Sequence, residues 1–382
     1  MISCGEPSGD LYAGALASEI LKLEPSAAIT GLGGDRLREA GGSLVGDFSG
    51  LSVTGLLEVA RLLPRTYATY RRLVADARAT RPDVFVAIDF PDFNFTLGRA
   101  LRKLGVPVVY YISPQLWAWR AGRMKTMKRL VERVLVIFPF EEEIYRDAGV
   151  PVQWVGHPLL DVAVAPMPRQ QFLHGAGLDP RRPVVALLPG SRRNELRAIL
   201  PDLARAALLI RARVPDAQFI VARAPHLRDE AFGPLSLLAR DGRAAAIVDG
   251  QADNVLAAAD VALVASGTVT VQAALHECPM VVVYRLSPVT YRLGRPFVRV
   301  DTYAMANLVA GRRVVPELIQ DGFTPEAVAA EALRVLTDPS HAAQVRADLR
   351  DVRAKLGGPG ASRRAAEAVV EVARRGRPIP LE

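Results

Sequence analysis

Two short loops in this chain carry the residues to hold an anion. Met1–Asp10 (MISCGEPSGD) and Pro183–Arg192 (PVVALLPGSR) each run from an apolar strand into Gly, Ser and a polar residue before a helical pattern begins. A strand that feeds a helix N-terminus presents free backbone N–H groups and the positive end of the helix dipole. A third loop, Ala265–Thr268 (ASGT), closes the strand Val261–Val264 and opens the helix Val269–Leu275, with more N–H donors and two hydroxyls. The pair formed by Gly190–Ser191 and Ser266–Gly267–Thr268 suits a diphosphate. Arg192 can neutralise charge building on a phosphate leaving group, with Glu195 following inside the first helical turn. Taken singly, each loop also reads as a capped core helix.

The carboxylates come from Val84–Phe95 (VFVAIDFPDFNF), a buried strand that ends in Asp89 and Asp92 with Pro91 stopping the ladder. Ligands of an open parallel sheet bind at the C-terminal ends of its strands. Asp92 can there take a proton from an attacking hydroxyl. Its other reading, with Asp89, is a cap on a turn or helix start. No Gly-Lys-Ser or Gly-Lys-Thr follows either glycine loop, no His and Cys cluster has zinc spacing, and no Asp-x-Asp stands ready to bridge a metal to a diphosphate. The expectation is chemistry with no metal and no cofactor.

The elements that must position these residues alternate. Strand-like runs at Ile2–Cys4, Ala28–Leu32, Val84–Ile88, Val106–Ile112 and Val134–Phe138 are separated by helix-length segments. The rhythm repeats at Val184–Leu188, Gln218–Ala222, Ala245–Val248, Val261–Val264 and Met280–Tyr284. Strands alternating with helices imply parallel sheets. The expected fold is therefore α/β, two doubly wound Rossmann-like domains facing a central cleft. Gly156 and Pro158 within Gln153–Asp161 place the junction, giving domains 1–158 and 159–340 and a helical tail 341–382 that packs back on the first domain. Thr324 before Pro325 reads as a helix N-cap. The first strand is short, which predicts that it begins upstream of Met1.

At 382 residues with half of them hydrophobic, the chain can bury two full cores. Cys4 and Cys278 lie far apart, which argues against a disulfide framework and for a reducing compartment. No run approaches the ~20 apolar residues of a membrane span, and Met1 sits on the first strand with no basic leader, so the cytoplasm is the expected address. The net charge of +8 attracts phosphates, nucleic acid or anionic lipid, or is a solvated basic surface. Leu56–Val74 places Leu63, Tyr67, Tyr70 and Val74 on one helical stripe and Arg61, Arg65 and Arg72 on another. Such a helix lies in a bilayer interface or packs on the sheet. Trp117–Arg133 sets two tryptophans beside five basic residues, a face for nucleic-acid bases, headgroups or water. Nothing in the chain has a nucleic-acid fold signature.

Several of these blocks together resemble the bacterial lipid-A-disaccharide synthases, inverting glycosyltransferases of the two-domain B type. They are GEPSGD at Gly5–Asp10, IDFPDFNF at Ile88–Phe95, SPQLWAWR at Ser113–Arg120, LLPGSRRNE at Leu187–Glu195, ASGT at Ala265–Thr268 and NLVAGRRVVPELIQ at Asn307–Gln320. The resemblance implies transfer of 2,3-diacylglucosamine from UDP-2,3-diacylglucosamine to the 6-hydroxyl of 2,3-diacylglucosamine 1-phosphate. It makes Asp92 the general base, with Asp10 the second candidate, and Arg192 the stabiliser of the leaving diphosphate. Gly5, Glu6, Ser8, Gly9, Asn94, Gly190, Ser191, Glu195, Ser266, Gly267, Thr268, Gln272 and Asn307 become substrate-binding candidates. It also implies peripheral attachment to the cytoplasmic face of the inner membrane, and the helical tail is a candidate surface for a homodimer. The chain departs from the pattern at Gln272, where related nucleotide-sugar transferases carry a ribose-binding glutamate, and at Thr54, where a methionine is usual. The rival activities are a peptidoglycan-precursor glycosyltransferase and a UDP-N-acetylglucosamine 2-epimerase, and the rival of another class is a non-catalytic binding module for nucleotide or nucleic acid.

Overall fold

The computed structural model describes residues 1–48, 56–116, 121–225, 227–239, 245–286, 291 and 302–376, with side chains described from residue 63 in the helix that begins at Leu56 and from residue 122 after the second gap. Thr54, Trp117, Trp119, Arg120 and the side chain of Arg61 lie outside the described residues. The chain divides into two compact units, one built from Met1–Val162 and the segment from Leu356 onward, the other drawn from Ala163 to Lys355.

The first unit runs β1 (Ile2–Ser3), α1 (Pro7–Leu23), β2 (Thr30–Gly33), α2 (Asp35–Glu39), β3 (Ser43–Asp47), α3 (Leu56–Thr80), β4 (Phe85–Ile88) and α4 (Pro91–Lys103). It continues through β5 (Val108–Tyr111), α5 (Met124–Leu130), β6 (Arg133–Val136), α6 (Pro139–Asp147), β7 (Val152–Trp154) and α7 (Leu159–Val162). Its seven strands are parallel in the order β3-β2-β1-β4-β5-β6-β7. The middle strands β4 and β5 are buried on both faces. This is why they read as unbroken Val, Ile, Phe and Tyr rather than as alternation. The order reverses at β1, which pairs with both β2 and β4, so the crevice of this doubly wound sheet opens where β1 and β4 end.

The second unit runs α8 (Arg169–Gly175), β8 (Val184–Leu188), α9 (Arg193–Arg213), β9 (Gln218–Arg223), β10 (Ala246–Asp249), α10 (Ala252–Ala258), β11 (Val261–Ala265) and α11 (Thr268–Leu275). It continues through β12 (Met280–Tyr284), α12 (Met305–Ala310), β13 (Glu317–Ile319), α13 (Pro325–Thr337) and α14 (Pro339–Lys355). Six parallel strands lie in the order β10-β9-β8-β11-β12-β13, with the reversal at β8 and β11. The Thr324 hydroxyl accepts the Ala327 N–H at 3.2 Å and so caps α13 as its sequence predicts. The last helix, α15 (Ala361–Arg374), belongs to the first unit, where it packs along α1.

Ten of the thirteen described strands fall on runs the sequence marks; β3, β7 and β13 do not. All three are edge strands. Their side chains are half-buried or exposed, so no continuous apolar run announces them.

Candidate active site

In the first unit, the turns leaving β1 and β4 lie side by side. Gly5 and Glu6 lead into α1, whose first turn holds Ser8 and Gly9; Asp89 and Phe90 lead into α4, whose first turn holds Asp92 and Asn94. The Phe90 ring fills the space where a Cβ on Gly5 would stand, so only glycine lets the two turns approach. Asp89 (φ 43°) and Phe90 (φ 48°) both take the left-handed conformation, as does Ile112 (φ 60°) at the end of β5. Non-glycine residues adopt that region at a cost of about 1 kcal/mol or more each, and only where surrounding contacts hold them.

Two of those contacts are visible. The Tyr110 hydroxyl donates to the Asp89 carbonyl at 2.7 Å. Burial, with the Asp89 charge close by, holds the Tyr110 phenol well above the ordinary tyrosine range, so it stays a donor. Asn94 does more. Fully buried, it donates to the carbonyls of Asp89 (2.8 Å), Ser3 (3.2 Å) and Ile88 (3.3 Å) and accepts the Ser3 hydroxyl at 2.7 Å. Its amide is thus spent on tying β1 to β4.

Asp10 is likewise turned inward. Its buried carboxylate accepts the N–H groups of Gly34 (2.7 Å), Arg36 (2.9 Å) and Leu37 (3.2 Å), capping α2 from α1. Both oxygens are engaged by backbone N–H groups. Asp92 is the opposite case. It stands in the first turn of α4 with 73% of its side chain exposed, hydrogen-bonded by Arg123, whose guanidinium also lies 5.7 Å over the Phe95 ring. Arg123 is the neighbour that sequence reasoning missed, although it sits in the basic segment singled out there.

In the second unit, the loops after β8 and β11 leave neighbouring strands, since Leu188 pairs with Val264. Gly190 takes φ 113°, and a Cβ there would stand 2.5 Å from the Glu195 carboxylate. Glu195 folds back to accept the N–H groups of Ser191 (3.1 Å) and Arg192 (3.2 Å) and the Arg192 guanidinium (3.0 Å). Its carboxylate thus caps the start of α9 and also aims the arginine. The Ser191 side, Gly267 and Thr268 are exposed. Ser266 is held by its N–H on Val283 O (2.9 Å) and its hydroxyl on Tyr303 O (3.3 Å).

Asn307 is buried and stands one layer back. It accepts from Val314 N (2.7 Å) and Val315 N (3.0 Å) and donates to Val315 O (2.9 Å) and Glu317 (2.6 Å). Glu317 accepts the N–H groups of Tyr303 and Ala304, so Asn307 acts on the Ser266 loop through a residue that sequence reasoning did not single out. Gln272 donates to Asp253 at 3.3 Å, and His276 contacts the same carboxylate oxygen at 2.9 Å. A carboxylate therefore stands beside the position that lacks its own. Among the described residues no group of three or more His, Cys, Asp or Glu is placed to hold a metal ion, and no helix is long and apolar enough to cross a membrane.

Comparison with known proteins supplies the family. Residues 1–372 match the model of the lipid-A-disaccharide synthetase family. The chain is 45% identical over 375 residues to the lipid-A-disaccharide synthase of Geobacter sulfurreducens, covering 97% of this chain and 96% of that one. It is 42% identical over 377 residues to the Myxococcus xanthus enzyme of the same name, covering 99% and 98%. Among solved structures, the UDP-GlcNAc 2-epimerase of Neisseria meningitidis bound to UDP-GlcNAc superposes with a TM-score of 0.68 at 13% identity, over 97% of this chain and 98% of that one. The kitacinnamycin glycotransferase superposes at 0.62 and 18%, over 98% of each. Those two likenesses show the shared α/β fold. The whole-chain family match and the 42–45% relatives show the rest: this chain belongs to the lipid-A-disaccharide synthase family, glycosyltransferases of lipid A biosynthesis.

Proposed function

We propose that the chain transfers 2,3-diacylglucosamine from UDP-2,3-diacylglucosamine to the 6-hydroxyl of 2,3-diacylglucosamine 1-phosphate, releasing UDP and forming a β-linked disaccharide 1-phosphate. The observation that carries this reading is the pairing of the Gly190–Arg192 and Ser266–Thr268 loops on adjacent strands of one sheet. Two helix N-termini and one guanidinium there suit the two phosphates of a nucleotide sugar. An α-linked donor giving a β product needs one in-line displacement, in which the acceptor oxygen bonds to C1 as the bond from C1 to the diphosphate breaks. Asp92 accepts the acceptor's proton, because its carboxylate is exposed while that of Asp10 is consumed by α2. Arg192 shifts part of its bond with Glu195 to the departing diphosphate, where it and the helix N-termini stabilise developing charge. Gln272 offers its amide oxygen to the ribose, since its NH2 is directed at Asp253.

Both substrates carry acyl chains. Leu63 and Tyr67 on α3 are 60% and 62% exposed, while Leu73 and Ala77 further along the helix are buried in the core. The exposed stretch of α3 from Leu63 to Tyr67, with Arg65, is the surface we assign to the cytoplasmic face of the inner membrane. The test is product formation from the two acyl-sugar substrates with EDTA present. Disaccharide formation supports the reading, and its absence from a folded chain contradicts it.

A further inference from the structure

A pocket of about 410 Å³ opens at the other edge of the second sheet. Asp260 and Cys278 on its wall precede β11 and β12, whereas the phosphate loops follow β8 and β11. The eight residues of α11 separate the two places, about 12 Å at 1.5 Å per residue. The volume lies within the rough 300–1,000 Å³ range of small-ligand sites.

Its lining is cationic by more than it first looks. Arg169, Arg346 and Arg353 face Asp260 and Glu277, and both carboxylates are already engaged. Asp260 takes a two-point bond from Arg169 (3.0 and 3.3 Å) and the Val184 N–H (2.8 Å). Glu277 is bound by Arg350 (2.9 and 3.2 Å), with Arg353 at 3.8 Å. Glu277 also holds φ 52° just past α11, where a left-handed helix stop usually takes glycine. This places its carboxylate against the arginines of α14. Half-buried Arg346 has no ion pair among the described residues. The neighbouring Cys278 thiol, pushed up to about 12 by burial, stays neutral and adds no negative charge. His276 completes the wall.

We propose that this pocket is a second anion site, for a phosphate group, with Arg346 as its principal ligand and Arg353 beside it. An unpaired, partly desolvated guanidinium between engaged neighbours suits a phosphate's oxygens. The phosphate comes either as a free ion or ester or as the headgroup of an anionic lipid.

The experiment titrates the full chain calorimetrically with inorganic phosphate while UDP saturates the loops of the other edge, and compares Arg346→Gln. Phosphate binding that persists under UDP and weakens at least about tenfold in the variant supports the site. In a second arm, the chain is sedimented with phosphatidylcholine vesicles containing phosphatidic acid. Loss of sedimentation in Arg346→Gln, with no binding of free phosphate, also supports the site and assigns it to a lipid headgroup. Binding of both probes that is indifferent to Arg346→Gln, or of neither, overturns the proposal. An unchanged UDP affinity and melting curve show that the variant is folded. A native chain that binds no UDP counts against the proposed reaction and leaves the Arg346 comparison intact.

Discussion

At the β1–β4 edge of the first unit, Asp10, Asp92 and Asn94 differ in direction, and two of the three turn inward. Asp10 and Asn94 are used up by backbone, and Asp92 alone of the three faces outward. At the β8–β11 edge of the second unit, Ser191 and Thr268 are exposed and the Glu195 carboxylate holds the Arg192 guanidinium. Strand-to-helix turns thus present an exposed carboxylate in one unit and exposed donors for anions in the other. The division fits a reaction in which one group must lose a proton and another must leave as a diphosphate.

The comparison can be broken at several points, from the largest expected effect to the smallest. Arg192→Ala removes the guanidinium that Glu195 holds at the second edge, and turnover should fall by about 10²–10³; steady-state kinetics that barely move would deny the arginine its role. Asn94→Ala strips donors from three carbonyls and an acceptor from the Ser3 hydroxyl, all in or beside the core. It should cost about 2–4 kcal/mol, read as a lowered urea midpoint. If Asn94 instead binds substrate, its replacement raises KM at unchanged stability.

The inward-turned side of the first unit also predicts a pH dependence. His157 is buried against Tyr12 and Phe138, and burial lowers its pKa to about 3 from 6.5. Between those values the unfolded chain binds a proton that the folded chain does not. Its contribution is therefore whole above about pH 6.5 and is lost as pH falls toward 3, with a slope of up to about 1.4 kcal/mol per unit. His157→Phe should flatten urea stability against pH in that window. The smallest effect is expected at Gln272→Glu, which sets a second carboxylate against Asp253. UDP affinity should fall by only a few-fold, and adding Asp253→Asn should restore it. Additive effects in that cycle would mean that the two side chains do not act together.

Much of this molecule is legible from residues alone. Buried parallel strands announce themselves as apolar runs, and Gly190, Ser266 and Gly267 mark the loops because few residue types fit a strand-to-helix turn. The edge strands β3, β7 and β13 do not announce themselves, since a strand with one wet side carries mixed residues. The partners of Asp10, Asn94 and Asn307 are hidden for another reason. Each is a polar residue in a motif, and only the tertiary contacts reveal that its hydrogen bonds are spent on β1, α2 or the 314–317 segment. Motif membership alone cannot separate a residue that touches substrate from one that shapes the loop that does.

The most direct test of the two-edge account measures turnover and UDP affinity together in Asp92→Asn. The account predicts a fall in turnover of about 10²–10⁴ with UDP affinity unchanged, since the base and the anion donors belong to different sheets. Turnover near the native value, or loss of UDP affinity in step with it, would contradict the account.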